Sequence, residues 1–223
     1  MKGGRLKKVI LALLSGNDFE SELKDMCRYQ PKRMVSYLLS FFYNKDQLVR
    51  WRAITAAGIV VSDLALNDME SARVVMRRLM WNLNDESGGI GWGSPEAMGE
   101  IMARNKHLAS EYHRILVSYL MQNGNYLDNK HLQEGVLWGI GRLAECFPDL
   151  VREYLYLIIP FMQSEYAAHR GLSAWIAKRA GYDMVKSDYN YLLEDNSKMT
   201  FYSNGRLIAC TVSQIASDTF LSG

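Results

Sequence analysis

Residues 82–95 read Asn-Leu-Asn-Asp-Glu-Ser-Gly-Gly-Ile-Gly-Trp-Gly-Ser-Pro, the densest glycine segment of the chain. Backbone N–H groups at such a bend, ahead of a helix, can hold a phosphate or a carboxylate. A P-loop or dinucleotide fold also needs a strand before the glycines, and the lysine–serine/threonine pair of a P-loop is missing. Asp85 and Glu86 would repel an anion. The preferred reading is a structured turn anchored by Trp81 and Trp92. A contact with a ligand or partner through Asp85, Glu86, Gly89, Gly91 and Trp92 is the second reading, and an anion site the third.

Other chemistry-bearing residues are spread along the chain. Arg52, Glu96, Glu100, Arg104, Glu134, Trp138, Arg142, Arg170 and Lys178 recur on segments with helical periodicity and are candidates for one shared binding surface. Arg50, Trp51, His169 and Trp175 fall on the same segments. Aromatic rings interleaved with arginine can clamp a peptide or stack on bases. The plainer reading makes Trp51 and Trp138 core and gives Arg50 a bond to carbonyls or to Asp46. His107 and His113 are six apart, which does not put both rings on one helix face. His131 and Glu134 share a face without an evident third ligand, so neither a metal site nor a cofactor is expected. No nucleophile elbow or cysteine–histidine pattern frames a catalytic residue.

Composition sets the bounds. The chain has 223 residues, 48% apolar and 22% charged, with a formal net charge of +2. That balance fits a globular domain and lacks the basic excess usual for holding long stretches of nucleic acid. No apolar run approaches the roughly 18 to 20 residues of a membrane span. The basic start and short apolar segment Val9–Leu14 read as a first helix, not a signal peptide. Cys27, Cys146 and Cys210 form no framework and no CxxC pair, so a cytoplasmic setting is expected.

Punctuation places the elements. Pro31, Pro95 and Pro148 each open an apolar-periodic run, with Ser94 as N-cap and Pro95 at the first helical position. Pro160 sits inside a periodic run and should break it near Ile158-Ile159. The spacing predicts helix pairs over 5–14 and 18–29, 31–43 and 46–66, 69–83 and 95–104, 107–122 and 129–146, and 149–163 and 165–181. Small residues recur in the second helices at roughly 36 to 44 residues, near the period of two-helix repeats: Ala53, Ala56, Ala57 and Gly58, then Ala97 and Gly99, then Gly135, Gly139 and Gly141, then Gly171 and Ala174. Repeated glycine inside helices suggests close helix–helix approach. After residue 185 the pattern changes to a hairpin, Met199–Ser203 and Arg206–Cys210, on an Asn204-Gly205 type I′ turn. Thr211 to Gln214 is a capping box opening a last helix to about Leu221.

Asp46, Val49, Arg50, Ala53, Ala56, Ala57 and Gly58 together resemble the second half of a HEAT or armadillo repeat, of the type found in HEAT-like phycobilin lyases. Later segments keep the small residues and lose the Val-Arg pair. The resemblance implies an all-α superhelix of about five helix pairs over residues 1–185, with residues 186–223 as a hairpin-and-helix cap on its end. It implies a non-enzymatic scaffold that receives a protein partner on its inner curve and glycine-rich loop. Two alternatives stand beside it. One is a nucleic-acid-binding protein like the HEAT-like DNA alkylation-repair glycosylases, using Trp138, Trp175, Arg142, Arg170, Lys178 and Arg179. The other is a tetrapyrrole-lyase-like chaperone.

Overall fold

The computed structural model describes residues 3–16, 31–84 and 91–217. Their structure is mostly helical, with eleven α-helices among the described residues and one two-stranded antiparallel sheet. The helices are α1 (Gly3–Ser15), α2 (Pro31–Phe41), α3 (Gln47–Asn67), α4 (Met69–Asn84), α5 (Ser94–Arg104), α6 (Lys106–Ser118) and α7 (Lys130–Cys146). Then come α8 (Asp149–Arg152), α9 (Leu155–Ile158), a 3₁₀ turn (Ile159–Gln163) and α10 (Ala167–Arg179). A second 3₁₀ turn (Asn190–Glu194), β1 (Lys198–Ser203), β2 (Arg206–Thr211) and α11 (Val212–Ser217) complete the order. The predicted helix over 18–29 and the end of the last helix lie outside the described residues. None of the described helices is long and apolar enough to cross a membrane.

Side-chain caps fix several helix starts. The Asp46 carboxylate accepts from Leu48 N and Val49 N at 2.8 and 3.3 Å, so α3 begins at Gln47. Asn105 ends α5 in an extended conformation and caps α6 by accepting from Leu108 N at 3.1 Å. Asn129 does the same for α7. The start of α5 departs from expectation. Its N-cap is Gly93, with φ of 75°, and Ser94 is already helical and fully buried. The Phe42 ring is the reason: a Cβ at residue 93 would stand 2.8 Å from Phe42 Cγ, so a left-handed glycine fits where serine does not.

Pro160 breaks the run over 149–163 as the spacing predicts, because it has no N–H to donate and clashes with the preceding turn. The 3₁₀ turn begins at Ile159. A second break, which the sequence pattern misses, falls at Glu153–Tyr154, where Tyr154 N bonds Val151 O at 2.9 Å.

Helices α3, α5, α7 and α10 pack side by side in one row, with α2, α4 and α6 packed behind them. The row is close because of its glycines. A methyl group at Gly99 would fall inside the Gly139 backbone, and one at Gly139 would stand 2.6 Å from Pro95 O. Helix α3 buries residues on all its faces, including Ala53, Ala56, Ala57, Val60 and Val61.

The hairpin forms in the predicted register, Ser203 opposite Arg206, with φ of 48° at Asn204 and 73° at Gly205. The capping box also forms: Thr211 N donates to Gln214 Oε1 at 2.9 Å and Gln214 N to Thr211 Oγ1 at 3.3 Å. The hairpin's place is the correction. It does not merely close the last helix pair; it reaches across the row to α3. The Thr55 and Tyr202 hydroxyls are 2.9 Å apart, and the Tyr202 ring stacks on Trp51 with centroids at 4.9 Å. Phe201, Tyr202, Val212 and Ile215 belong to the same hydrophobic core as the long helices.

Arg52 locks this arrangement. Its guanidinium is buried and donates to Gly205 O at 3.0 Å, Leu14 O at 2.9 Å and Gly16 O at 2.5 Å. One side chain thus ties α1, α3 and the hairpin turn together. Arg52→Ala leaves three carbonyls without their donor and should cost about 2–4 kcal/mol. Arg52→Lys, lacking the planar fork, should recover only part. Urea unfolding followed by circular dichroism checks both; an alanine variant within about 0.5 kcal/mol of the wild type would contradict this role.

Candidate functional site

The strap-like hairpin divides the exposed side of the helix row into two cavities, both lined by Trp138 and Tyr202. The larger, of about 680 Å³, is bounded by α3, α5, α7, α10 and β1. Its size falls within the range of small-ligand clefts. One wall is aromatic. Trp51, Trp138 and Tyr202 form a triangle of rings, with the Trp51 centroid 4.8 Å from that of Trp138 and 4.9 Å from that of Tyr202, and Trp138 Nε1 donates to Tyr202 O at 3.2 Å. Trp92, half-buried, has its ring 6.1 Å from that of His131, and Tyr166 stands at the rim with Lys130 Nζ 4.4 Å from its centroid.

The floor is charged. Glu96, on the first turn of α5, points its carboxyl at Gly135 of α7; a Cβ there would be 2.6 Å from Glu96 Cδ. Glu96 Oε2 is closed off from solvent and has no hydrogen-bond partner among the described residues. Burial raises the pKa of this carboxyl to about 7, and the neighbouring Glu134 carboxylate adds to the rise. Its own backbone N–H and the Arg50 guanidinium act in the opposite direction. Glu134 is half-buried, 3.6 Å from His131 Nδ1. Arg50 also lines the cavity; it makes no side-chain hydrogen bond among the described residues, so neither Asp46 nor a carbonyl holds it. Carbonyls are bonded instead by Arg52, two residues on.

The smaller cavity, of about 270 Å³, holds a self-contained ion-pair network. Buried Glu100 accepts from Arg104 and from Arg142, each at 2.7 Å. Arg142 also pairs with Glu145, which lies 3.6 Å from Arg179. The pairing outweighs the burial that opposes the Arg142 charge and holds its pKa above the usual arginine value.

The sequence-derived candidates therefore separate into three groups. Glu96, Glu134, Trp92 and Trp138 meet in the larger cavity, although Trp138 is nearly buried. Glu100, Arg104 and Arg142 meet in the smaller one, engaged with one another. Arg52 and Arg170 are bracing residues. Arg170 bonds Asp195, Ser197 and the carbonyls of Ser164 and Glu165, fastening the segment ahead of the hairpin. Lys178, at the last turn of α10, lines neither cavity. Gly91 is buried, and a Cβ there would meet Asn82 O at 2.7 Å, a structural requirement for glycine. Asp85, Glu86 and Gly89 lie outside the described residues. Trp81, expected as an anchor of that turn, is 72% exposed.

Tyr202, Tyr166 and Lys130 line the larger cavity without having been singled out from the sequence. Tyr202 carried the best available signal, an aromatic residue two positions before a type I′ turn. His169 also lines this cavity but is engaged: Nε2 lies 2.9 Å from Lys130 O and Nδ1 3.2 Å from Ser164 Oγ, and burial lowers its pKa. Among the described residues no group of three histidine, cysteine, aspartate or glutamate side chains is placed to hold a metal ion.

No family model matches the chain. An uncharacterised protein of Archaeoglobus fulgidus is 33% identical over 114 residues, 51% of this chain and 56% of the relative's length. The chain thus spans little more than half of the relative it matches. The crystal structure of an engineered protein aligns over 78% of both chains with 13% identity and a TM-score of 0.45.

The raised pKa of Glu96 has a thermodynamic sign. A carboxyl titrating near 7 in the fold and near 4.5 when unfolded favours the folded state below pH 4.5, and that contribution is lost as pH rises through 7. At pH 8 the ionised carboxylate costs about 3 kcal/mol. Glu96→Gln should therefore melt above the wild type at pH 8 and lose that advantage toward pH 4.5. A melting difference independent of pH would contradict it.

Proposed function

We propose that this chain is a non-enzymatic binding scaffold whose strapped groove receives a segment of a protein partner. In this reading the row of α3, α5, α7 and α10, with α2, α4 and α6 behind it, is a short α-solenoid of the HEAT type. Support comes from the Asp46 cap, the buried Ala53-to-Gly58 cluster and glycine contacts repeated from one helix of the row to the next. Such architectures present extended surfaces to partners.

The observation that carries the reading is the groove's composition. Six aromatic side chains, Phe42, Trp51, Trp92, Trp138, Tyr166 and Tyr202, line a cavity beside Glu96 and Arg50, which bond no other side chain among the described residues. Aromatic and arginine side chains in a partly desolvated recess are the usual anchors of protein interfaces. The nucleic-acid alternative has less support, because Glu96, Glu134 and Glu165 line this groove and oppose a phosphate backbone.

The test is affinity capture on the immobilised chain, run in parallel with a Glu134→Arg/Tyr166→Ala variant altered only at the groove's accessible side. A stoichiometric protein partner held by the wild type and lost from the variant is expected. Equal retention by both chains would refute the reading, as would binding of nucleic acid alone with a steep salt dependence.

A further inference from the structure

Glu96 presents a chemical demand that the fold leaves unmet. Its Oε2 is shielded from water and accepts no hydrogen bond among the described residues, although a buried carboxylate oxygen without a donor is costly. The carboxyl packs against the α7 backbone at Gly135, where any larger residue would occupy its space and no side chain among the described residues supplies a donor. The donor that suits this position comes from outside the described fold.

The charges around it select that donor. Glu134 shares the cavity and raises the energy of the ionised Glu96, so the two carboxylates repel each other. Among the described residues Arg50 is the cation that acts on Glu96, and it balances one of them. Lys130, Lys198 and Glu165 are exposed at the rim, and Lys130 is already placed over Tyr166. Two carboxyl groups against one guanidinium leave the floor one positive charge short of balance, and the indoles of Trp51 and Trp92 line the same cavity. A flat cation satisfies both features: it bridges carboxylates through several N–H groups and stacks on aromatic rings.

We propose that the groove floor seats an arginine side chain of the partner segment, its guanidinium donating to Glu96 and Glu134 beside the rings of Trp51 and Trp92. This rests on the partner-docking reading above and specifies the chemistry of what docks. Arginine fits better than lysine because its planar fork spans two acceptors while stacking, whereas an ammonium is a compact point charge.

The probe is a blocked pentapeptide, acetyl-Ala-Ala-Arg-Ala-Ala-amide, titrated into the full chain and followed by tryptophan fluorescence. Its counterpart carries citrulline, which keeps the shape and removes the charge. The arginine peptide should bind saturably and at least about tenfold tighter than the citrulline peptide. Glu96→Gln and, separately, Glu134→Gln should abolish that preference, with thermal melts confirming that each variant is folded. Equal binding of the two peptides overturns the arginine seat while leaving the docking groove standing, provided Tyr166→Ala weakens both. A preference that survives both glutamine variants overturns it too, as does the absence of binding by either peptide. The docking reading itself then stands or falls on the capture experiment, which uses no peptide.

Discussion

The backbone contact between Gly99 of α5 and Gly139 of α7 is the constraint on which the groove depends. Helices with ordinary side chains at their crossing keep their axes 8–10 Å apart. Here the space of a single methyl group is already filled by the opposing backbone. Position on the helix does the rest. Glu96 and Glu100 flank Gly99 on the same face of α5, and Gly135 and Arg142 flank Gly139 on α7. Bringing the two glycines together therefore delivers one carboxylate to the larger cavity and the other to the arginines of the smaller one. The same contact creates both the unmet acceptor and the satisfied network.

The hairpin completes the site by crossing it. Tyr202 presents its ring to Trp51, its hydroxyl to Thr55 and its carbonyl to Trp138 Nε1, so three helix-borne groups recognise one residue. Arg52 then holds the turn at Gly205. A hairpin alone is marginal in water. This one is stable because its apolar face joins the helical core. Its position turns one open face into two recesses that differ in pairing: among the described residues Glu96 and Arg50 bond no other side chain in one, and arginines and glutamates are paired with each other in the other.

Much of this was legible in the sequence wherever the cause is local. Asp46, Asn105 and Asn129 bond N–H groups two or three residues away, and Pro160 acts on its own turn. Asn204-Gly205 and the Thr211–Gln214 box are likewise complete within a few residues. Ser94 shows the limit: its pattern suits a cap, but Phe42, 51 residues earlier in the chain, selects Gly93 instead. Arg50 and Arg52 exchange roles for the same reason, since the carbonyls that Arg52 bonds come from α1 and from the hairpin. Trp51 cannot be assigned from periodicity because α3 is buried on all its faces. Distant pairings decide which charges remain unpaired, and a site is made of those charges.

The most direct test of this dependence is Gly99→Ala, measured by thermal and urea unfolding, with Gly4→Ala as a control where an added Cβ meets no atom within 4 Å. Alanine inside a helix ordinarily stabilises by about 0.5–1 kcal/mol, so helix propensity and the crossing predict opposite signs. The close crossing predicts that Gly99→Ala loses about 2 kcal/mol or more through overpacking, while the Gly4 control is neutral or slightly stabilised. A Gly99→Ala protein as stable as the wild type, or more stable, would mean that the two helices are not held in backbone contact and that the groove does not arise as described.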